Sequence, residues 1–172
     1  MYEEHFGLTA KPFQLSPDAD FFYPSTEHNR ALAFLEYGLE QADGFIVITG
    51  DVGTGKTTLI NALVATFDKN EVVYGILSDP DLDRSDFFNM IAHTFKIPQK
   101  FDTKGDFLVY FARFLDFQQR KNKTVVLIID ESQRLSQELL EEIRLLSNIE
   151  REDRKLLNIF FLGQNEFNHL LD

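Results

Sequence analysis

Cysteine is absent from this 172-residue sequence. That excludes a disulfide framework and any thiol chemistry. Long apolar runs are absent too: no stretch approaches the roughly 18 residues that would read as a membrane span. The opening MYEEHFGLTAKPF is acidic and lacks an extended apolar segment, so it does not read as a secretory signal. A cytoplasmic location is the expectation, and the glycosylation-like triplet Asn122-Lys123-Thr124 is then idle. Positive charge is scarce, with 17 Lys and Arg against 28 Asp and Glu and a net charge of −11. Such a balance opposes loose electrostatic association with nucleic acid. The one basic run, QQRKNK (118–123), reads as a solvated turn before a strand. The four histidines (His5, His28, His93, His169) are scattered and lack metal-ligand spacing.

What is present is a chain of ordinary apolar content, 44%, long enough for one domain with a real core. Phenylalanine is abundant, at 18 residues, and most of it is expected inside. The most informative stretch is GDVGTGKTTLI (50–60). Gly50, Asp51, Val52, Gly53, Thr54, Gly55, Lys56 and Thr57 complete the pattern G-x-x-x-x-G-K-[ST], with Thr58 following. The glycines let backbone N–H groups close on a phosphate chain. The helix that follows presents unpaired N–H groups and a positive dipole end to the anion. Lys56 is placed to reach the β- and γ-phosphates, and the Thr57 hydroxyl to hold Mg²⁺. The loop lies between GFIVITG, which reads as a buried strand, and TTLINALVATF, which reads as a helix. A nucleotide, ATP with Mg²⁺, is the expected ligand.

Around this motif, strands and helices alternate. Residues 1–24, with Pro12, Pro17 and Pro24, read as an ordered extended segment. A helix from Ser25 aligns Ala31, Leu35, Leu39 and Ala42, with Ser25 or Thr26 as its cap. Strands follow at 45–49, 71–77, 124–130 and 156–163. Helices between them align Phe87, Ile91 and Phe95, then Phe107, Phe111, Phe114 and Leu115, then Leu139, Ile143 and Leu146 over 136–149. Asp83 and Asp86 form a capping-box-like pair. Continuous apolar strands alternating with helices predict an α/β fold: a parallel sheet buried on both faces, with helices on both sides.

The most apolar strand ends in Asp130 and Glu131. An aspartate at the carboxyl end of a buried strand fits the Mg²⁺ partner of a phosphate-loop site. Glu131 is then placed to polarise a water facing the γ-phosphate, which favours hydrolysis over phosphoryl transfer. Gln164, ending the strand IFFLG, fits a group that holds that water or senses the γ-phosphate. The candidate catalytic residues are thus Glu131, Lys56 and Gln164, and the candidate metal ligands Thr57 and Asp130. Of the histidines, only His28 lies in a segment that can approach the nucleotide base.

HFGL and KPF near the start, SPDADFFYPS, the helix ending in EYGL, GDVGTGKTT, IIDESQ, IRLLSNIE and KLLNIFFLGQNEF together resemble the AAA-type secretion ATPases of the general secretion pathway protein A (ExeA/GspA) group. The resemblance runs the whole length of the chain. Its opening segment is the more specific part, since many families share the phosphate loop. KPFQLSPD…FFYPS with GFIVITGDVGTGKTT looks closest to the subfamily at exosortase (PEP-CTERM) and exopolysaccharide loci, with pilus-biogenesis and type II secretion members close behind. The resemblance implies a P-loop NTPase with an additional catalytic strand (AAA-type) that uses ATP and Mg²⁺ to drive a cell-envelope secretion or export system. It implies a homo-oligomer, protein partners in that system, and a location at or peripheral to the inner membrane through residues beyond this chain. It places the adenine against Phe6 to Phe13 and the start of the helix at Ser25. Residues 1–44 then form a linker and helix contributing to the nucleotide pocket, and 45–172 the ATPase core. AAA-type proteins commonly place an arginine finger after the helix that follows the acidic pair, which singles out Arg151 or Arg154. The usual D-E-A-Q reads Asp130-Glu131-Ser132-Gln133, with both acids kept. The usual G-Q-P-E reads Gly163-Gln164-Asn165-Glu166, a change expected to loosen the turn after Gln164. Members continue into a fifth core strand and a helical lid, and this chain is expected to stop short of both.

The competing readings are a DNA-associated ATPase of the transposition-helper type, a small-molecule phosphotransferase and a nucleotide-gated scaffold. The acidic charge and the HFGL…KPF opening disfavour the first. The second needs an arginine-bearing lid for which the sequence offers no candidate. Glu131 speaks against the third.

Overall fold

The structure, a computed structural model, describes residues 2–8, 23–41, 44–151 and 154–171. The strands among these residues are β1 (Phe45–Thr49), β2 (Val72–Leu77), β3 (Thr124–Ile129), β4 (Glu150–Arg151), β5 (Arg154–Lys155) and β6 (Asn158–Gly163). The helices are α1 (Tyr2–His5), α2 (Thr26–Gln41), α3 (Lys56–Thr66), α4 (Arg84–Thr94), α5 (Lys104–Arg120), α6 (Gln137–Ser147) and α7 (Asn168–Leu171).

Four strands make a parallel sheet in the order β1-β6-β3-β2. β6 therefore lies between the phosphate-loop strand β1 and the acidic-pair strand β3, as an additional strand should. In register, Ile46 faces Phe160 and Ile128 faces Phe160 from the other side. The apolar runs split by the two-residue period of a strand. Val125, Leu127, Ile129, Ile159 and Phe161 point to one face, where α4, α5 and α6 pack. Val126, Ile128, Phe160 and Leu162 point to the other, against Leu35 of α2 and Leu59, Ile60 and Leu63 of α3. Helices thus cover both faces, and α2 belongs to the same core as the sheet.

The phenylalanines fill the first layer. Phe87, Phe107 and Phe111 are fully buried, each contributing about 1.5–3 kcal/mol from burial. Ring centroids lie 5.1 Å apart for Phe107–Phe111 and 4.9 Å for Phe88–Phe107. Buried Glu142 of α6 pairs with Arg84 at the start of α4 and with Lys104 at the start of α5, 2.5 Å away, tying the three helices together. Caps set the helix starts. Asp83 Oδ1 accepts from Asp86 N, Thr103 Oγ1 from Asp106 N, and Ser136 Oγ from Leu139 N. Ser25 Oγ accepts from His28 N at 3.3 Å and so caps α2.

Two expectations change. The sheet is not buried throughout: β3 and β6 are, but Phe45 and Val47 of β1 and Tyr74 of β2 are exposed. β1 and β2 are the two edges of this sheet, and an edge strand is covered less fully. Residues 2–5 form a helical turn rather than extended chain. Pro12, Phe13, Pro17 and Ala42 fall outside the described residues. The short antiparallel hairpin of β4 and β5 was not foreseen. No helix among the described residues is long and apolar enough to cross a membrane.

Candidate functional site

β1 delivers the loop 50–55 to the carboxyl edge of the sheet, and Gly55 caps α3 in the left-handed conformation, φ 85°. Gly53 is also left-handed, φ 79°, with open space where a Cβ would lie. Side chains larger than glycine would be strained at both positions. Val52 points into solvent, and Thr58 occupies the first turn of α3. Thr54 Oγ1 donates to Asp51 O at 2.8 Å, bracing the loop internally. Lys56 Nζ donates to Gly50 O at 2.8 Å and Asp51 O at 2.9 Å. Its ammonium therefore lies inside the curl of the loop, where an anion's charge would be met.

Thr57 Oγ1 donates to Asp130 Oδ2 at 2.9 Å, joining the two expected metal ligands between the start of α3 and the end of β3. Asp130 is buried, and its Oδ1 accepts from Glu131 N at 2.9 Å. A hydroxyl and a carboxylate in contact are hard oxygen donors of the kind Mg²⁺ takes. Among the described residues no cluster of three or more His, Asp or Glu could cage a metal alone. The donor set thus fits a cation that shares its remaining ligands with phosphate oxygens and water.

Glu131 is held in the left-handed region, φ 52° and ψ 38°, an uncommon conformation for a non-glycine residue. Its Oε2 accepts from Gln133 Nε2 at 2.6 Å, and Gln133 Oε1 accepts from the backbone N of Gln164 at 2.9 Å. Gln164 closes β6, where Gly50 N donates to Gly163 O at 3.2 Å. The departure at Asn165 does not loosen this turn. Phe167 N donates to Gln164 O at 3.0 Å, and Asn165 Nδ2 donates to Asp51 Oδ1 at 2.7 Å, so the side chain that replaces the usual proline ties the turn to the phosphate loop.

All the sequence-derived site residues from Gly50 to Thr58, with Asp130, Glu131 and Gln164, thus collect at one edge. His28 approaches the loop itself. Its Nε2 lies 2.9 Å from Thr54 O and its Nδ1 2.9 Å from Ser25 Oγ. A carbonyl only accepts, so Nε2 carries the hydrogen. α2 is thereby pinned to the phosphate loop. Two site contributors escaped the sequence reading, Gln133 and Asn165. The motif comparison had marked both positions, but their partners are remote in sequence. Arg151 and Arg154 lie at the opposite, amino edge of the sheet, beside a cleft of about 440 Å³ that Arg120, Lys123 and Lys155 also line. Arg151 pairs there with Asp116. Neither arginine belongs to this chain's own phosphate-loop cluster.

General secretion pathway protein A of Aeromonas hydrophila is 36% identical over 173 residues, covering 99% of this chain and 31% of that protein. The chain therefore spans about a third of that relative's length. The Aeropyrum pernix ORC2 protein, solved in ADPNP–ADP complexes, superposes with a TM-score of 0.57 at 17% identity over 90% of this chain and 43% of that one. Cdc6p from Pyrobaculum aerophilum gives a TM-score of 0.60 at 16% identity over 94% and 43%. At such identities these two show the fold alone, a parallel sheet flanked by helices. The family described as the AAA domain matches residues 39–171. The chain belongs to the AAA domain family, and within it resembles the general secretion pathway protein A group.

Proposed function

We propose that the protein binds and hydrolyses ATP with Mg²⁺, and that turnover drives assembly or operation of a cell-envelope secretion system. The observation that carries this is the meeting of Lys56, Thr57, Asp130, Glu131 and the Gln164 turn at one edge of the sheet. Backbone N–H groups of residues 50–58 would line the phosphate chain. Lys56 would exchange its two loop carbonyls for phosphate oxygens, a charge-assisted contact. Thr57 and Asp130 would hold Mg²⁺, which when bound neutralises phosphate charge. Glu131 would take a proton from the attacking water as its oxygen bonds to the γ-phosphorus and the bond to the bridging oxygen breaks, with ADP leaving. Gln164 would hold the water or the γ-phosphate. The adenine would rest near Phe6 and the start of α2. His28 would fix α2 against the loop beneath it.

The secretion role draws on the 36% identity to general secretion pathway protein A. Partners would be envelope-system proteins and further copies of this chain, with Arg151 or Arg154 acting on a neighbour's nucleotide. The net charge of −11 weighs against nucleic acid as partner. Neighbouring genes for an exosortase, a secretin or a transposase would distinguish the pathways. The test is phosphate release from ATP by the full-length protein. Release that requires Mg²⁺ and stops with a chelator is expected. ATP binding without turnover, even with oligomer and partners present, would move the reading to a nucleotide-gated scaffold.

A further inference from the structure

Gln133 stands between the two ends of the proposed hydrolytic apparatus. It lies in the 3-10 turn Ser132–Arg134, directly after Glu131. Its Nε2 donates to Glu131 Oε2 at 2.6 Å while its Oε1 accepts from the Gln164 backbone N at 2.9 Å. A carboxylate only accepts and a backbone N–H only donates, so the amide fits one way round. One planar group thus joins the carboxyl end of β3 to that of β6.

The surroundings fix this bridge. Buried Ser132 anchors the turn by donating from Oγ to Ile129 O at 2.8 Å. Arg134 anchors its far end through Asp79 at 2.8 Å and Asp81 at 3.0 Å. The left-handed backbone of Glu131 opens the turn, and a strained residue persists only where its surroundings over-determine it. Gly163 leaves the space: a Cβ there would lie 3.2 Å from Gln133 Oε1 and 3.4 Å from Gln133 N.

We infer that Gln133 is a positioning residue that acts through Glu131. Its amide holds one carboxylate oxygen, leaving Oε1 to take the water's proton. The same amide makes that placement depend on the Gln164 turn, which would face the γ-phosphate. The inference deepens the hydrolysis reading and rests on it.

The test uses the full-length protein. Gln133→Met keeps the side-chain length and loses both hydrogen bonds. Steady-state hydrolysis and nucleotide affinity are measured for wild type, Gln133→Met, Glu131→Gln and the double variant. The expected kcat of Gln133→Met is lower by about 10-fold or more, as misplacement of a reacting group commonly costs, with KM and affinity within about twofold. In the Glu131→Gln background the same change should do nothing further, because no base remains to be placed. Gln133→Glu, close to isosteric, still offers an acceptor to Gln164 N but no donor to Glu131. It should lose kcat likewise, and it covers the case in which the methionine variant fails to fold. Wild-type kcat in either folded variant overturns the inference. So does a loss confined to KM, or losses that multiply in the double variant. A wild-type protein that binds ATP without turnover overturns the hydrolysis reading itself, whereas equal turnover in wild type and variants overturns only the role of Gln133.

Discussion

Replacing Gly163 with alanine is the smallest change that probes how tightly the ends of β3 and β6 are packed. The added Cβ would meet Phe167 Cβ at 3.1 Å, Gln133 Oε1 at 3.2 Å and Gln133 N at 3.4 Å. Comfortable carbon contacts lie near 3.5–4.0 Å. Phe167 is fully buried and Gln133 N is backbone, so only the Gln133 amide can swing aside. Swinging it breaks the hydrogen bond from Gln164 N and disturbs the one to Glu131. Overpacking costs about 1–3 kcal/mol, and a lost hydrogen bond about 0.5–1.5 kcal/mol. Against these stands a gain of about 0.4–1 kcal/mol from reduced freedom of the unfolded chain. The net expectation is a loss of about 0.5–4 kcal/mol. It would be read as a lower urea midpoint at unchanged slope, together with slower ATP turnover. An alanine variant as stable and as active as wild type would refute the reasoning, since the β6 end would then have room that the structure denies it.

Lys56→Ala should remove the charge-assisted phosphate contact, worth about 1.5–3 kcal/mol, and lower ATP affinity in a calorimetric titration by roughly 10- to 100-fold. Its effect on the folding midpoint should be small, because among the described residues Lys56 bonds only loop carbonyls. Phe111→Ala empties a fully buried position between Phe107, Phe95 and Phe114 and should cost about 3–5 kcal/mol by denaturant unfolding. Asp83 is held below the usual carboxylate range by the N–H of Asp86, then by the Ser85 hydroxyl. Its contribution is therefore present above the ordinary value of about 3.9 and is lost as pH falls through the lower folded value. The stability difference between wild type and Asp83→Asn should accordingly shrink as pH falls below about 4, and a difference that grows with acid would contradict the cap.

The phosphate loop, the four long strands and the acidic pair were legible because each is a local pattern. A glycine loop between an apolar strand and a helix needs no distant information, and TVVLII reads as a central strand from its composition alone. The hairpin at 150–155 was not legible, because two-residue strands have no period and Glu-Arg-Glu-Asp-Arg-Lys reads only as a charge run. The edge character of β1 could not be read from FIVIT, since strand order is a property of the whole sheet. The motif Asp130-Glu131-Ser132-Gln133 does not reveal a role for Gln133, because its second partner, the backbone of Gln164, lies 31 residues away. Asn165 was expected to loosen a turn that it ties to Asp51, a contact spanning 114 residues. Side chains that close a site across strands become visible only when the strands are placed.

The central claim, that this site hydrolyses ATP with Glu131 as base, is tested most directly by Glu131→Gln in the full-length protein. The loop, Lys56, Thr57 and Asp130 are untouched by that change, so Mg²⁺-dependent ATP binding should persist at near wild-type affinity. The amide cannot accept the water's proton, so turnover should fall by about 10²-fold or more, the usual worth of a positioned general base. Hydrolysis at the wild-type rate in that variant would place the base elsewhere and contradict the account.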